Sequence, residues 1–442
     1  MDNTSLSSQT RTGVGVEDLR SNPFRDRFIF EATFESQAID GVSQHETVYL
    51  DGNSLGRLPR STLERMDQVL RREWGDQLIS SWNAHWLGLA NRIGEKIGRL
   101  IGAKTGETLV SESTSTNLYK LAWALLAHRG KRTRILTDAA NFPSDLYILS
   151  GIAKQVGRDI QVQPLDFCGK DFSSLSHTRV QQVLESQLDE SVALVSLSHV
   201  QYQSGYAFDL KATTELCHRF GVPILWDLSH SVGAIPIDLA GANADAAVGC
   251  TYKYLNGGPG APAFLYLRSD LQAIMDNPIQ GWFGAASPFE FQPNYAPSAG
   301  LERFLVGTPP VLSTAAIEPG VDLVLEAGIE WLHARSIGLI KVFLKSYETE
   351  LAQLGYGLIT PHDPAMRGSH LAFTHENGWQ ITQDLIRRYR VIPDFREPNV
   401  IRFGITPLTN QLSDIERAVE AMVGSIRTES YREFSSKRQG VT

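Results

Sequence analysis

Two short apolar runs, each closed abruptly by charged or polar residues, constrain this chain more than anything else in it. Pro223 to Asp227 reads PILWD, and Ala244 to Cys250 runs on into Thr251, Tyr252, Lys253, Tyr254 and a glycine-rich turn ending at Gly260. Runs of this kind read as strands buried on both faces of a parallel sheet. Their polar residues would then emerge at the carboxyl ends, the edge where open α/β sheets bind ligands. One strand end offers Asp227 and His230, and the next offers a single lysine, Lys253, beside Tyr252. A lysine held at the end of an apolar strand is costly unless it has a role.

A carboxylate, a lysine and glycines gathered on one sheet edge suit pyridoxal phosphate (PLP). The lysine would carry the cofactor's aldehyde as a Schiff base, and the acid would keep the pyridine nitrogen protonated. Taken singly, Asp227 could open a turn, Lys253 could be solvated and the glycines could close a loop. Their coincidence is what favours the cofactor.

The rest of the chain supplies a frame for such a site. From Thr108 to Leu267 strand-like and helix-like stretches alternate, with strands expected at 108–111, 134–138, 159–163, 192–198, 223–227, 244–250 and 263–267. That pattern predicts an α/β fold with a doubly wound, mostly parallel seven-stranded sheet. Residues 284–312 hold five prolines and little periodicity, as a connecting segment does. From about residue 316 the order helix, helix, strand (His370 to Thr374), helix, strand (Val400 to Ile405), helix suits a smaller α+β domain with a polar tail after Tyr431. The expected division is therefore a disordered stretch at 1–20, a large domain at 21–315 and a small C-terminal domain at 316–442.

Composition narrows the partners. With 442 residues, 42% of them hydrophobic, the chain can bury a large core, and a net charge of -8 with mixed signs gives no basic surface for nucleic acid or acidic lipid. The longest apolar stretch, Leu121 to Ala127, is too short to span a bilayer, and the polar N-terminus lacks the apolar core of a secretory signal. Three widely spaced cysteines (Cys168, Cys217, Cys250) indicate neither a disulfide framework nor a metal cluster. A cytoplasmic enzyme is the expectation.

Four motifs carry further chemistry. SESTSTNL (Ser111 to Leu118) follows a strand and opens a helix, so Thr114 and Ser115 are either phosphate ligands or ordinary caps. In NFPSD, Phe142 is placed to lie on a cofactor ring and Asp145 to bond it, although Pro143 and Ser144 equally suit a helix start. SHVQYQSG (Ser198 to Gly205) ends the fourth strand with hydroxyl and imidazole groups. Arg402 lies within an apolar strand, where its planar fork would take either a substrate carboxylate or a structural acid. The tryptophans Trp74, Trp82 and Trp86 form either core or the wall of an aromatic pocket.

In chain order, YLDGNSLG, SWN, NFPSD, WDLSHSVG, TYKYLNGGPG, GWFG, RGSH and RFGITPL together resemble the kynureninases, PLP enzymes of fold type I, the aspartate aminotransferase-like group. The similarity runs from about Tyr49 to Leu408. It implies a PLP-dependent hydrolase of the kynurenine pathway of tryptophan catabolism and NAD biosynthesis. Such an enzyme cleaves the Cβ–Cγ bond of L-kynurenine (or 3-hydroxykynurenine) to anthranilate (or 3-hydroxyanthranilate) and L-alanine.

The resemblance also implies roles. Lys253 would hold PLP and move protons, Asp227 would pair with the pyridine nitrogen near His230, and Tyr252 would donate a proton. Phe142 would stack on the ring with Asp145 in contact. Thr114, Ser115, Tyr252, Trp282 and Thr308 would surround the phosphate, with Pro143 and Ser144 beside it and Ser198 near the ring. Trp282 and Thr308 would come from the neighbouring subunit of a homodimer with shared sites. Arg402 would bind the substrate carboxylate and Trp82 would face its ring. Two departures bear on the substrate: Ala285 follows GWFG where a histidine is common, and SHVQYQSG differs from HVNYKTG at Gln201, Gln203 and Ser204. Rival readings are an aminotransferase, a cysteine desulfurase or a non-catalytic module on the same fold. The desulfurase needs a mobile cysteine near the C-terminal domain, and none lies beyond Cys250.

Overall fold

A computed structural model describes residues 15–30, 46–156, 159–168 and 175–438. After a short strand β1 (Val48–Tyr49), the chain builds β2 (Thr108–Val110), β3 (Arg134–Asp138), β4 (Gln161–Leu165), β5 (Val192–Ser198), β6 (Ile224–Asp227), β7 (Ala246–Gly249) and β8 (Phe264–Leu267). These seven form one sheet in the order β2-β8-β7-β6-β5-β3-β4. All neighbours are parallel except β8, which runs antiparallel to both β2 and β7. Five of its strands (β2, β5, β6, β7 and β8) are buried along their whole length, which explains their lack of alternation. In the sequence, β4 was expected two residues earlier; its exposed, polar pattern at the sheet's edge left no apolar run to fix it.

Two apolar layers cover this sheet. Helix Thr114–Ala127 packs on one face with Leu118, Leu121 and Leu125. The other face meets helices Leu89–Leu100 and Val311–Ala327. Each fully buried leucine contributes about 1.5–3 kcal/mol relative to exposure.

The smaller C-terminal part contains β9 (Gly357–Leu358), β10 (His370–Thr374), β11 (Val391–Ile392), β12 (Asp394–Arg396) and β13 (Val400–Gly404), flanked by helices Ile329–Thr349, Gly378–Arg387 and Leu412–Arg427. β12, β13, β10 and β9 make an antiparallel sheet, and β11 pairs with β1. The short strands β1, β9, β11 and β12 escaped the sequence reading because two or three residues show no periodicity.

Two boundaries need correction. The division expected at 315/316 cuts helix Val311–Ala327, whose Ala315, Ile317, Val321 and Val324 join the large core. The two cores part instead within helix Ile329–Thr349, where Leu332 belongs to the large core and Leu339 to the small one. Of the N-terminus expected to be disordered, residues 1–14 lie outside the described residues, but Val16–Arg20 is a helix. Leu19 enters the small core at 1% exposure, and buried Arg335 donates to the carbonyls of Asp18 (2.7 Å) and Leu19 (3.3 Å). A polar sequence gave no sign of that anchor. Among the described residues no helix is long and apolar enough to cross a membrane.

Candidate active site

The carboxyl ends of β5, β6 and β7 bring the predicted residues together. β6 terminates in Asp227, in register with Ser198 at the end of β5. Asp227 Oδ1 accepts the Ser229 N–H at 2.8 Å, and the carboxylate is buried. Asp145, from the first turn of helix Pro143–Gln155, comes close enough for the two carboxylates to act on each other. Burial raises the pKa of both, with the partner carboxylate the next cause for Asp145, while Ser229 and Lys253 oppose the rise at Asp227. Two buried carboxylates side by side disfavour each other's ionisation.

Lys253 lies just past β7, with Nζ 3.2 and 3.4 Å from the two ring nitrogens of His230. Burial, then the lysine charge, hold the His230 pKa well below the usual histidine value, so a neutral imidazole faces the amine. His370, from β10 of the small domain, stands 5.8 Å from the His230 ring and is likewise kept neutral by burial. Gly56 of YLDGNSLG closes the lysine loop from below: its N–H donates to the Tyr252 carbonyl at 2.7 Å, and a Cβ there would meet Lys253 O at 2.3 Å. Only glycine fits this approach. The Tyr252 hydroxyl pKa is raised, first by Cys250 and then by burial, which keeps that proton in place.

Two helix N-termini converge on the same edge. Ser113, not Thr114 or Ser115, caps helix Thr114–Ala127 by accepting the Thr116 N–H at 3.2 Å, which leaves the Thr114 and Ser115 side chains available in the first turn. Ser115 Oγ meets Ser144 Oγ at 2.7 Å, joining this helix start to that of Pro143–Gln155. Paired positive helix ends with hydroxyls form an anion cradle. Phe142, with 43% of its surface exposed, stands beside the cradle, its ring edge-on to Tyr202 at 5.3 Å. Ser198 Oγ donates to Asn141 Oδ1 at 2.6 Å, holding the NFPSD loop against β5.

The residues fit PLP. Asp145 Oδ2 is buried and has no partner, an acceptor beside Asp227 at the place where a protonated ring nitrogen would sit. The cradle would supply the phosphate's place, Phe142 a ring face and Lys253 the amine. The Gln201 departure is accommodated: Gln201 donates to buried Asp138 at 2.5 Å and accepts from Ser204 at 2.7 Å, so these two departing residues are bonded to each other and to the acid.

Three expected residues lie elsewhere. Trp282 and Thr308 sit on an exposed segment with no described bond to the cluster. Trp82 packs against Trp86 (5.4 Å) and Phe283 (5.6 Å), and Trp86 Nε1 is anchored on buried Glu73 at 2.8 Å. Arg402, 1% exposed, is held by the Tyr202 carbonyl, by Asp394, and by Ser54 at 3.3 Å. The structural-acid alternative for Arg402 is thus realised in this structure, with Asp394 as that acid. Sequence reasoning gave no role to Asp394, Ser54, His370 or Asn141, although YLDGNSLG, RGSH and NFPSD contain the last three.

The sequence profile of the kynureninase C-terminal domain matches residues 332–422. A kynureninase of Burkholderia pseudomallei (strain 1106a) is 40% identical over 397 residues, covering 88% of this chain and 92% of the relative. The chain belongs to the kynureninase family. It is therefore a PLP-dependent hydrolase. A kynureninase of Pseudomonas fluorescens is also 40% identical, over 85% of this chain and 88% of its own length. The fold extends further: a cysteine desulfurase of Thermococcus onnurineus NA1 superposes with a TM-score of 0.73 at 17% identity, covering 86% of this chain and 95% of that one. One from Escherichia coli gives 0.73 at 17% identity over 93% and 98%. Kynureninase and desulfurase thus share a type I fold, while the chemistry differs. All three cysteines of this kynureninase-family chain are buried, which denies a desulfurase an accessible thiol.

Proposed function

We propose that the chain hydrolyses L-kynurenine to anthranilate and L-alanine, with Lys253 as the catalytic amine. The observation that carries this reading is Lys253 Nζ against a neutral His230, at a sheet edge where the buried carboxylates of Asp145 and Asp227 meet. Bound PLP supplies the electron sink that acidifies the substrate's α-carbon.

Each residue then has a task. The first turns at Thr114, Ser115 and Ser144 bind the phosphate, and Phe142 fixes the ring plane. Asp227, backed by Asp145, holds the proton at the pyridine nitrogen. Lys253 Nζ removes the α-proton and returns it one step later. His230, neutral and within hydrogen-bond reach, orients the amine. Water adds at the substrate's γ-carbonyl, the Cβ–Cγ bond breaks, and the Tyr252 hydroxyl, kept protonated, donates at Cβ. Arg402 binds the α-carboxylate, exchanging part of its bond to Asp394. Trp82 lines the aryl end.

We further infer a homodimer in which Trp282 and Thr308 complete the neighbour's phosphate site; their exposure, away from their own cluster, supports it. Purified protein with PLP and L-kynurenine should give equimolar anthranilate and alanine. Failure to cleave either kynurenine or 3-hydroxykynurenine would overturn the reading.

A further inference from the structure

The YLDGNSLG stretch has no part in cofactor chemistry beyond Gly56, yet it runs directly into the Arg402 site. Asp51 bridges in parallel to Gly404, two residues beyond Arg402 in β13, and Gly404 N donates to Leu50 O at 2.6 Å. Ser54 Oγ donates to Asp394 Oδ2 at 2.9 Å, and Asp394 also takes Arg396 at 2.9 Å. Four buried atoms here lack partners: Asp51 Oδ1, Asp394 Oδ1, Arg396 Nε and Arg402 Nε. Spare donors and spare acceptors buried at one spot point to a ligand that completes them.

We propose, building on the reading that Arg402 takes the substrate carboxylate, that Asp51 is the proton-linked counter-charge of that site: a carboxylate docks on Arg402 as a proton enters Asp51. The charges facing Asp51 are Asp394, Arg402 and Arg396, with the hydroxyls of Ser54, Tyr49 and Tyr254 around them. With both acids ionised, the two guanidiniums are already balanced and an incoming carboxylate meets no net attraction. With Asp51 protonated, one guanidinium charge is free for the ligand. Burial, then the Asp394 charge, push Asp51 up to about 7, where this exchange falls in the working range.

The sign follows from linkage. Below about pH 7 Asp51 is already protonated and carboxylate binding is at its strongest. Above it, one solvent proton must be taken up per ligand bound, and affinity falls about tenfold per pH unit.

The test titrates holoenzyme with L-alanine and with ethylamine, the same kind of amine without a carboxylate, following the cofactor's absorbance between pH 6 and 9. The ratio of the two affinities cancels titration of amine and cofactor. That ratio should fall about tenfold per unit above pH 7 in the unmodified enzyme and stay flat in Asp51→Asn. A pH-independent ratio, or the same slope in both proteins, overturns the proposal. Where Asp51→Asn does not fold, the unmodified enzyme's ratio decides alone. Kynurenine cleavage with a flat ratio sinks this inference only. An Asp51-dependent ratio without cleavage sinks the hydrolase reading only. Arg402→Met with unchanged alanine affinity removes the premise and the proposal with it.

Discussion

The ends of β5, β6 and β7 and the segment from Gly281 to Pro310 both carry residues proposed for the cofactor, but they are built on opposite terms. At the strand ends nearly every polar group has a partner within the chain, and Asp227, His230 and Ser198 are each at most 7% exposed. On the segment, Trp282 (39%), Phe289 (50%) and Phe291 (74%) stand out in solvent. They stack chiefly on one another, Trp282 lying nearly parallel to Phe291 at 6.1 Å. One region is complete in a single chain; the other exposes an aromatic lobe that a second surface would cover. The difference teaches that burial ranks the two sets of candidates: the first is buried and bonded within the chain, the second is exposed as the proposed interface requires.

The sharpest break of this comparison is at Lys253. Lys253→Ala should lower turnover by more than about a thousandfold, since in the proposed reaction both transfers of the α-proton pass through Nζ. Borohydride treatment of the unmodified holoenzyme should fix the cofactor to the peptide holding Lys253; label on another lysine would refute its role.

Next in size is recovery by mixing. Thr308→Ala and Lys253→Ala chains, each nearly inactive, should form hybrids with one intact site. Random pairing makes half the dimers hybrids, so about a quarter of normal activity should return. Hybrids that form without activity would place Thr308 in its own chain's site, or in none.

How much of this was legible in the sequence follows the same divide. Apolar runs ending in Asp227 and before Lys253 announced the buried sheet edge, because burial on both faces leaves no other pattern. The pairing of Asp145 with Asp227 lay beyond it: these carboxylates are far apart in the chain, and only the order of β3, β5 and β6 brings them together. Asp394 was hidden for another reason. It sits on a three-residue strand, too short for alternation to show that its side chain points inward. The N-terminal helix was missed because single anchors, Leu19 and Arg335, decide it, and the place where the two cores part because it falls inside one helix, between Leu332 and Leu339.

A smaller effect concerns the tryptophan on which the exposed segment rests. Phe283 of the exposed segment packs on Trp82, which faces the aryl end in the proposed reaction. An indole face gives area to a flat anilino ring but no acceptor for a phenol. An unpaired buried hydroxyl costs about 1–3 kcal/mol, so kynurenine should exceed 3-hydroxykynurenine in kcat/KM by roughly five- to a hundredfold. A ratio at or below one refutes the preference. Trp82→His should narrow it by restoring an acceptor.

The smallest effect concerns Lys120, a group bonded to both regions' supports. Its amine is fully buried and donates to Ser111 Oγ at 3.0 Å, before the phosphate cradle, and to Phe304 O at 2.7 Å, inside the 281–310 segment. Neither acceptor is a carboxylate, and burial lowers its pKa to about 7 from the ordinary 10.5. Below pH 7 the folded and unfolded chains both hold this proton, and the full cost of burying the charge is present. Between 7 and 10.5 the unfolded chain binds more protons than the folded one, so this group adds stability as pH rises. Lys120→Met removes that slope and leaves the Phe304 carbonyl unpaired, a loss of about 1–3 kcal/mol. The variant should therefore match or exceed the unmodified protein in Tm near pH 6.5 and fall a few degrees below it near pH 9.5. Parallel Tm curves across that range would refute the buried, titrating amine. The same variant separates tether from filler: if the amine holds the segment to the cradle, PLP affinity at pH 8 should drop while kcat at saturating PLP stays close to normal.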